Sequence, residues 1–345
     1  MLSCTFFLRG ILGTRKTAKR LCAERARSIM FSIGETRGRK CIMFTTDAHC
    51  DTLSNIAVWG EKPETCAVTP EKLRAGNVCL QTYAMFAGTD KSPGTLEWRG
   101  KVMLAAAEKL LVPILRGKLP EPPPETPHAI LSIEGGELFF GDIARFESYA
   151  DQGVKLAALT WNYENEIGYP AMGGTQNGLK PFGKALLRAM DARGVMADTS
   201  HLNEAGFFDV AENARLPMVA SHSNLRALCD VPRNLTKAQV KTIIDKQGFI
   251  GINFYADFLA KDRAATLEDV YRHMEGILEL GGEKALGFGS DFDGIERWPE
   301  GLSDPSCLPA LIEGMLRRNW AEELVKDIAG MNFWNTLKRA EAACA

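Results

Sequence analysis

Val195-Met196-Ala197-Asp198-Thr199-Ser200-His201 and, seventeen residues on, Met218-Val219-Ala220-Ser221-His222-Ser223 frame the stretch that decides the fold. Each opens as a short apolar, β-rich run and ends in polar residues with a histidine. Between them, Asn203–Asn213 has helical character. Strand, helix and strand in that order predict a parallel pair joined by a crossover helix. The same alternation runs through the chain. Apolar runs at Met43–Ala48, Val78–Phe86, Ala129–Ile133, Val154–Leu159, Val195–Asp198, Met218–Ala220, Phe249–Asn253 and Leu286–Gly289 predict eight strands. Helical patterns lie between them at Leu96–Leu115, Gly183–Arg193, Asn203–Asn213, Lys237–Lys246 and Leu267–Leu280. Strands this continuously apolar are buried on both faces. Eight such units in about 250 residues match a (β/α)₈ TIM-like barrel. The alternative is a doubly wound open sheet, but no G-x-G-x-x-G fingerprint follows the first strand to support it.

The 345 residues are 46% hydrophobic and 24% charged, as in an ordinary globular protein. A net charge of −2 excludes a dedicated, strongly basic nucleic-acid binder, and no apolar run reaches the length of a membrane span. Residues 1–41 are basic and acid-poor. They suit an organellar transit peptide or an extension ahead of a start at Met30 or Met43, and are expected outside the fold. Residues 42–345 are expected to form a single domain, with Leu302–Glu341 as extra C-terminal helices packed on the outside of the barrel. Nine scattered cysteines without a C-x-x-C pair read as reduced thiols, which suits a cytoplasmic protein without a membrane anchor.

Three of the five histidines lie just past a predicted strand: His49, His201 and His222. Glu134 ends the third strand and Asp291 the eighth. Taken singly, each has an ordinary reading: a hydrogen-bonded structural histidine, or an acid capping a helix. In a parallel barrel, however, these strand ends meet at one rim, the face that carries active sites. Five separate coincidences are then a poorer account than one site. His49 and Asp51, two apart on a strand, point the same way, while Cys50 between them points away. Imidazole and carboxylate donors suit zinc or a similar divalent cation. Five ligands exceed what one four-coordinate catalytic ion uses and fit two ions bridged by a carboxylate. His128, at the opposite rim, and His273, in a helical stretch, are read as structural. Arg226 is read as a helix-surface charge, and Asp293 as a turn residue.

These residues resemble the membrane dipeptidase (renal dipeptidase) family, zinc peptidases on a metal-dependent-hydrolase type of barrel. The likeness is carried by Asp47-Ala48-His49-Cys50-Asp51, Ser132-Ile133-Glu134-Gly135-Gly136, Gly178-Leu179-Lys180-Pro181-Phe182-Gly183, Asp198-Thr199-Ser200-His201, Ser221-His222-Ser223, Val231-Pro232-Arg233-Asn234, Gly251-Ile252-Asn253-Phe254-Tyr255 and Gly289-Ser290-Asp291-Phe292-Asp293-Gly294. The resemblance implies two Zn²⁺ ions: His49 and Asp51 on the first, His201 and His222 on the second, and Glu134 bridging them. It implies a water shared by the ions as nucleophile, and Asp291 as acid/base. It further implies Arg233 as the partner of a dipeptide's terminal carboxylate, Tyr255 in the substrate pocket, and a possible homodimer. One departure stands out. Renal-type members carry a histidine after Leu-Thr in the fourth-strand motif, whereas this chain reads Leu159-Thr160-Trp161-Asn162-Tyr163. Trp161 cannot act as an imidazole, so carbonyl stabilisation would shift to the metals, Asn162 or Tyr163, with Trp161 kept as a substrate-pocket residue. The expected activity is hydrolysis of dipeptides. The alternatives are a binuclear amidohydrolase acting on a cyclic amide or lactam, and a non-catalytic metal-binding barrel.

Overall fold

The computed structural model describes residues 43–109 and 112–344. The basic extension 1–41, with Cys4, Cys22 and Cys41, lies outside the described residues. Eight strands form one parallel sheet in sequential order: β1 (Thr45–Asp47), β2 (Val78–Phe86), β3 (His128–Glu134), β4 (Val154–Ala158), β5 (Met196–Asp198), β6 (Val219–Ala220), β7 (Phe249–Ile252) and β8 (Leu286–Phe288). The sheet closes on itself. Ala48 N–H donates to the Phe288 carbonyl at 3.0 Å, and Cys50 pairs in parallel with Phe292. The chain is a TIM-like (β/α)₈ barrel. Every predicted strand has its counterpart, because strands walled by helices outside and side chains inside are largely apolar runs.

The helices depart more from expectation. The pattern over Leu96–Leu115 predicts one long helix; the helix runs Pro93–Ala107. Pro113 and Leu115 are drawn out beside β3 instead: Leu115 N–H donates to the Ala129 carbonyl and Ala129 N–H to the Pro113 carbonyl, both at 2.8 Å. Four α-helices have no counterpart in the predicted set: Thr52–Ala57, Pro70–Ala75, Ile143–Asp151 and the four-residue Ala256–Leu259. Two of them are only six residues long, too short for an apolar period to emerge.

The C-terminal region is helical over Leu308–Arg317, Glu322–Lys326 and Asn332–Ala342. The last of these does not merely pack outside. Phe333, Trp334, Leu337 and Ala340 join Leu80, Ile130, Leu156, Met196, Val219 and Phe249 in one buried cluster. Those partners lie toward the N-terminal halves of their strands, so the helix plugs the floor of the barrel. The opposite, C-terminal rim is left to the loops.

Candidate metal centre

At the end of β1 the chain alternates faces. Cys50 is fully buried in the surrounding core, and its backbone pairs with Thr82 and Ala84. His49 and Asp51 turn instead to the barrel mouth, with His49 Nε2 3.5 Å from Asp51 Oδ2. Asp47, one turn of the pleat earlier, ties three strands together. It accepts from Gln81 Nε2 at 2.9 Å, from Ser290 Oγ at 2.5 Å and from Ser290 N–H at 2.8 Å.

Glu134, the last residue of β3, sits between the histidines. Its Oε2 lies 3.4 Å from His49 Nε2, and its Oε1 lies 2.9 Å from His201 Nε2 and 4.0 Å from His222 Nε2. Asp291 Oδ1 lies 3.8 Å from His49 Nε2. The structure therefore brings together all five expected ligands and the expected acid/base, drawn from the ends of β1, β3, β5, β6 and β8. All six residues are buried.

The hydrogen bonds around this cluster fix which nitrogens face inward. His201 Nδ1 lies 3.0 Å from Asn162 Oδ1, an acceptor, so Nδ1 carries the proton. His222 Nδ1 lies 2.8 Å from Ser221 Oγ, whose own proton goes to Asp198. The Nε2 atoms of both rings are thus left with lone pairs, 2.9 Å apart. Two lone pairs facing each other in a buried space repel, and a cation between them removes the conflict. Burial first, and then the nearby positive charges of Arg233 and His49, hold both rings well below the ordinary histidine value and hence neutral. Neutral imidazole is the form that binds a metal. His49 Nε2 and Asp51 Oδ1 are buried without a hydrogen-bond partner. Burial and the neighbouring Glu134 charge push Asp51 up to about 7. Three carboxylates gathered this closely are costly unless metal or protons neutralise them. One donor each from His49, Glu134 and His222 lie within 4.8 Å of one another, as do donors from His49, Asp51 and Asp291. These donor sets fit a bound metal ion.

Several supporting residues are visible only in three dimensions. Asp198 accepts from Ser200 N–H at 3.0 Å, Ser200 Oγ at 2.7 Å, Ser221 N–H at 3.0 Å and Ser221 Oγ, locking β5 to β6 beneath the two histidines. The only signal in the sequence is an acid a few residues before His201, as with Asp47 before His49; His222 has no such neighbour. Asn253 Nδ2 donates to Asp291 Oδ2 at 2.8 Å. Burial raises Asp291 to about 7. Gly294 presses against the site: a Cβ there would stand 2.1 Å from Asp51 Oδ2 and 2.7 Å from Asp291 Oδ1. Asp293 does more than turn the chain, since its carboxylate accepts from Thr52 Oγ1 and from the N–H groups of Ala67 and Val68.

A cavity of about 470 Å³ opens over the cluster. Arg233 lines it, 4% exposed, with its guanidinium over the Phe258 ring and Nη1 without a hydrogen-bond partner. Burial lowers it to about 10, against the pull of Asp291, Glu134 and Asp198, so it stays charged at neutral pH. Tyr255 and Trp161 also line the cavity. Asn162 is engaged with His201 rather than left for a carbonyl, and Tyr163 is largely exposed. Arg226 lies in a turn after β6, not on a helix. It donates to the Asn234 and Pro232 carbonyls at 2.9 and 3.0 Å and so holds the loop that presents Arg233. His128 begins β3 at the far rim, and His273 is buried away from the site, as expected of structural residues.

A profile of the membrane dipeptidase family (peptidase family M19) matches residues 125–345. A Klebsiella pneumoniae protein encoded in the pqqA 5′ region is 36% identical over 208 residues, which cover 57% of this chain and 76% of that protein. An uncharacterized dipeptidase of Schizosaccharomyces pombe is 31% identical over 219 residues, 61% of this chain. The chain spans about half the length of that relative, 52%. Among solved structures, a metallopeptidase from Rhodobacter sphaeroides liganded with a phosphinate mimic of L-Ala-D-Ala superposes with a TM-score of 0.75 at 25% identity, covering 86% of this chain and 99% of that one. A probable dipeptidase from Pseudomonas aeruginosa shares the fold with a TM-score of 0.79 at 16% identity, covering 94% and 99%. The profile match spans most of the barrel and all of the expected site except His49 and Asp51, which the fold adds from β1; the chain belongs to the membrane dipeptidase family of metallopeptidases.

Proposed function

We propose that the chain is a zinc-dependent dipeptidase that hydrolyses the peptide bond of dipeptides carrying a free C-terminal carboxylate. The observation that carries this reading is the split attention of Glu134, one oxygen toward His49 and the other toward His201 and His222, beneath a cavity that holds the buried Arg233. His49 and Asp51 would hold one ion, His201 and His222 the other, and Glu134 both. When bound, divalent cations lower the pKa of water from about 16 to near 7 and polarise a carbonyl.

The remaining steps belong to the chain's own residues. Arg233 orients the substrate by pairing with its terminal carboxylate through two parallel N–H donors, a geometry that lysine lacks. Asp291, at the cavity wall with Oδ1 toward His49, receives the proton from the attacking water and delivers it to the leaving amine nitrogen. Asn253, bonded to the other oxygen of Asp291, keeps the reactive one aimed. Asn162 and Ser221 keep the Nε2 atoms of His201 and His222 turned inward.

Residues 42–345 are read as one catalytic domain, working in a compartment where thiols stay reduced, such as the cytoplasm. Cys50, Cys66, Cys79, Cys229 and Cys344 form no disulfide, and no described helix is long and apolar enough to cross a membrane. A homodimer is the proposed assembly, on the family resemblance alone.

The test is metal content of the purified chain measured alongside a dipeptide panel. About two zinc ions per chain, and loss of hydrolysis on chelation, are expected. A metal-replete preparation that cleaves no dipeptide overturns the reading; cleavage of cyclic amides instead selects the lactam alternative.

A further inference from the structure

The barrel order divides the cavity wall into two arcs. Arg233 follows β6, and Tyr255 and Phe258 follow β7. On the other arc, Trp59 follows β1, Phe86 ends β2 and Trp161 follows β4. In a closed barrel of sequential strands these two arcs face each other across the mouth. The second arc is a continuous aromatic surface. Ring centroids of Trp59 and Phe86 are 6.2 Å apart and those of Phe86 and Trp161 4.8 Å apart; Trp161 lies 6.1 Å from the His201 ring. The surface thus runs from the edge of the metal cluster out to solvent, where Trp59 is 52% exposed.

The wall is also held in place. Ser54 Oγ accepts from Phe86 N–H at 3.0 Å. The loop that carries Trp161 is anchored by Asn165, which donates to the Leu159 carbonyl at 2.8 Å and accepts from Ile167 and Gly168 N–H. Lys180 Nζ donates to the Asn165 carbonyl at 2.6 Å. An exposed aromatic surface that is rigid before binding loses little freedom when a ligand covers it.

We propose that Trp161 and Phe86, extended by Trp59, form the subsite for the side chain of the dipeptide's N-terminal residue, and select an aromatic or large apolar group there. This rests on the dipeptidase reading. With the terminal carboxylate on Arg233 and the scissile bond over the Glu134 cluster, the N-terminal residue has to lie on the arc opposite Arg233. A flat ring stacks on Trp161 and Phe86, whereas a glycine or alanine leaves them wet. The tryptophan that replaces the histidine of renal-type members thereby contributes apolar contact area instead of a polar donor.

The experiment compares kcat/KM for Phe-Ala and Trp-Ala with that for Ala-Ala and Gly-Ala, using the zinc-loaded full chain. A preference for the aromatic substrates of at least about tenfold is expected, since pocket contacts discriminate side chains on that scale. In Trp161→Ala the ratio should fall to within about threefold of unity, whatever the absolute rate. Phe86→Ala should lower it part way, and Trp161→Phe should keep most of it. Ratios for substrates varied only at the second residue, Ala-Phe against Ala-Ala, should not respond to Trp161→Ala. Active enzyme with a flat or inverted first-residue profile, or a ratio that Trp161→Ala and Phe86→Ala leave unchanged, overturns the subsite while the dipeptidase reading stands. Absence of hydrolysis of every dipeptide overturns that reading, and the subsite with it.

Discussion

Asn253 holds one oxygen of Asp291 at 2.8 Å and leaves the other 3.8 Å from His49. The acid/base proposed for the reaction is therefore aimed by a neutral amide on the neighbouring strand end. Asp291→Asn keeps the shape and removes the exchangeable proton. It is expected to lower kcat by about 10²–10⁴, the usual contribution of a positioned acid/base, with zinc content unchanged by elemental analysis. Asn253→Ala should lower kcat less, by about tenfold to a hundredfold, through loss of aim. Full turnover in Asp291→Asn would remove it from the mechanism.

The Asp198–Ser221–His222 chain is expected to set metal affinity. Ser221→Ala removes the acceptor of the His222 Nδ1 proton and one of the four donors to Asp198. Loss of such an outer partner costs metal affinity about 10–100-fold, which a chelator competition titration would read. The fold should survive, because the backbone of Ser221 still donates to Asp198.

Gly294 offers a sharper steric test. The Cβ introduced by Gly294→Ala would meet two carboxylate oxygens of the cluster within 2.7 Å. Strong loss of activity and of bound zinc is expected, with a circular dichroism spectrum like that of the parent. Retained zinc and activity would show that Asp51 and Asp291 have more room than their positions allow.

Arg233→Ala should raise KM for free dipeptides by at least about tenfold, the scale of a lost charge-assisted bond. Dipeptide amides, which lack the carboxylate, should be cleaved equally by parent and variant. Arg233→Lys should recover only part of the loss, since an ammonium cannot form the paired bond. An unchanged KM for free dipeptides would place the carboxylate elsewhere.

His273 gives a pH prediction far from the metal cluster. Its Nδ1 accepts from Leu225 N–H at 3.1 Å, and Nε2 lies 3.2 Å from the Leu259 carbonyl, so the folded ring is neutral. Burial lowers it from 6.5 to about 4. The unfolded chain takes up a proton below pH 6.5 and the folded one only near pH 4. The stability contributed by neutral His273 is therefore fully present above about pH 6.5 and is lost as pH falls toward 4, on the order of 3 kcal/mol in all. Melting temperatures across that window should fall less steeply for His273→Gln than for the parent. Parallel slopes would count against this assignment.

How much of the fold and the site was legible in the chain itself differs from residue to residue. The β2 run Val78–Phe86 is apolar at seven of nine positions because both of its faces are buried, so it can be read without neighbours. His49, His201 and His222 could be grouped because parallel barrel strands end at one rim. By contrast, Pro93–Ala107 stops early because the chain beyond it bonds to β3, and no local pattern carries that. The last helix reads as one more outer helix, yet Phe333 and Trp334 turn out to fill the barrel floor. Arg226 looks like a helix charge and proves to brace the Arg233 loop.

The amino-acid order by itself determined the alternation of strands and helices, and with it the set of side chains that gather at the barrel mouth. Hydrophobic burial on both faces of each strand and the common direction of parallel strands are enough for that. Only the closed barrel decided which oxygen of Glu134 faces which histidine, which nitrogen of His222 keeps its lone pair, and that Trp161 packs against Phe86. Those are relations between atoms far apart in the chain, set by distances of a few ångströms that only packing defines.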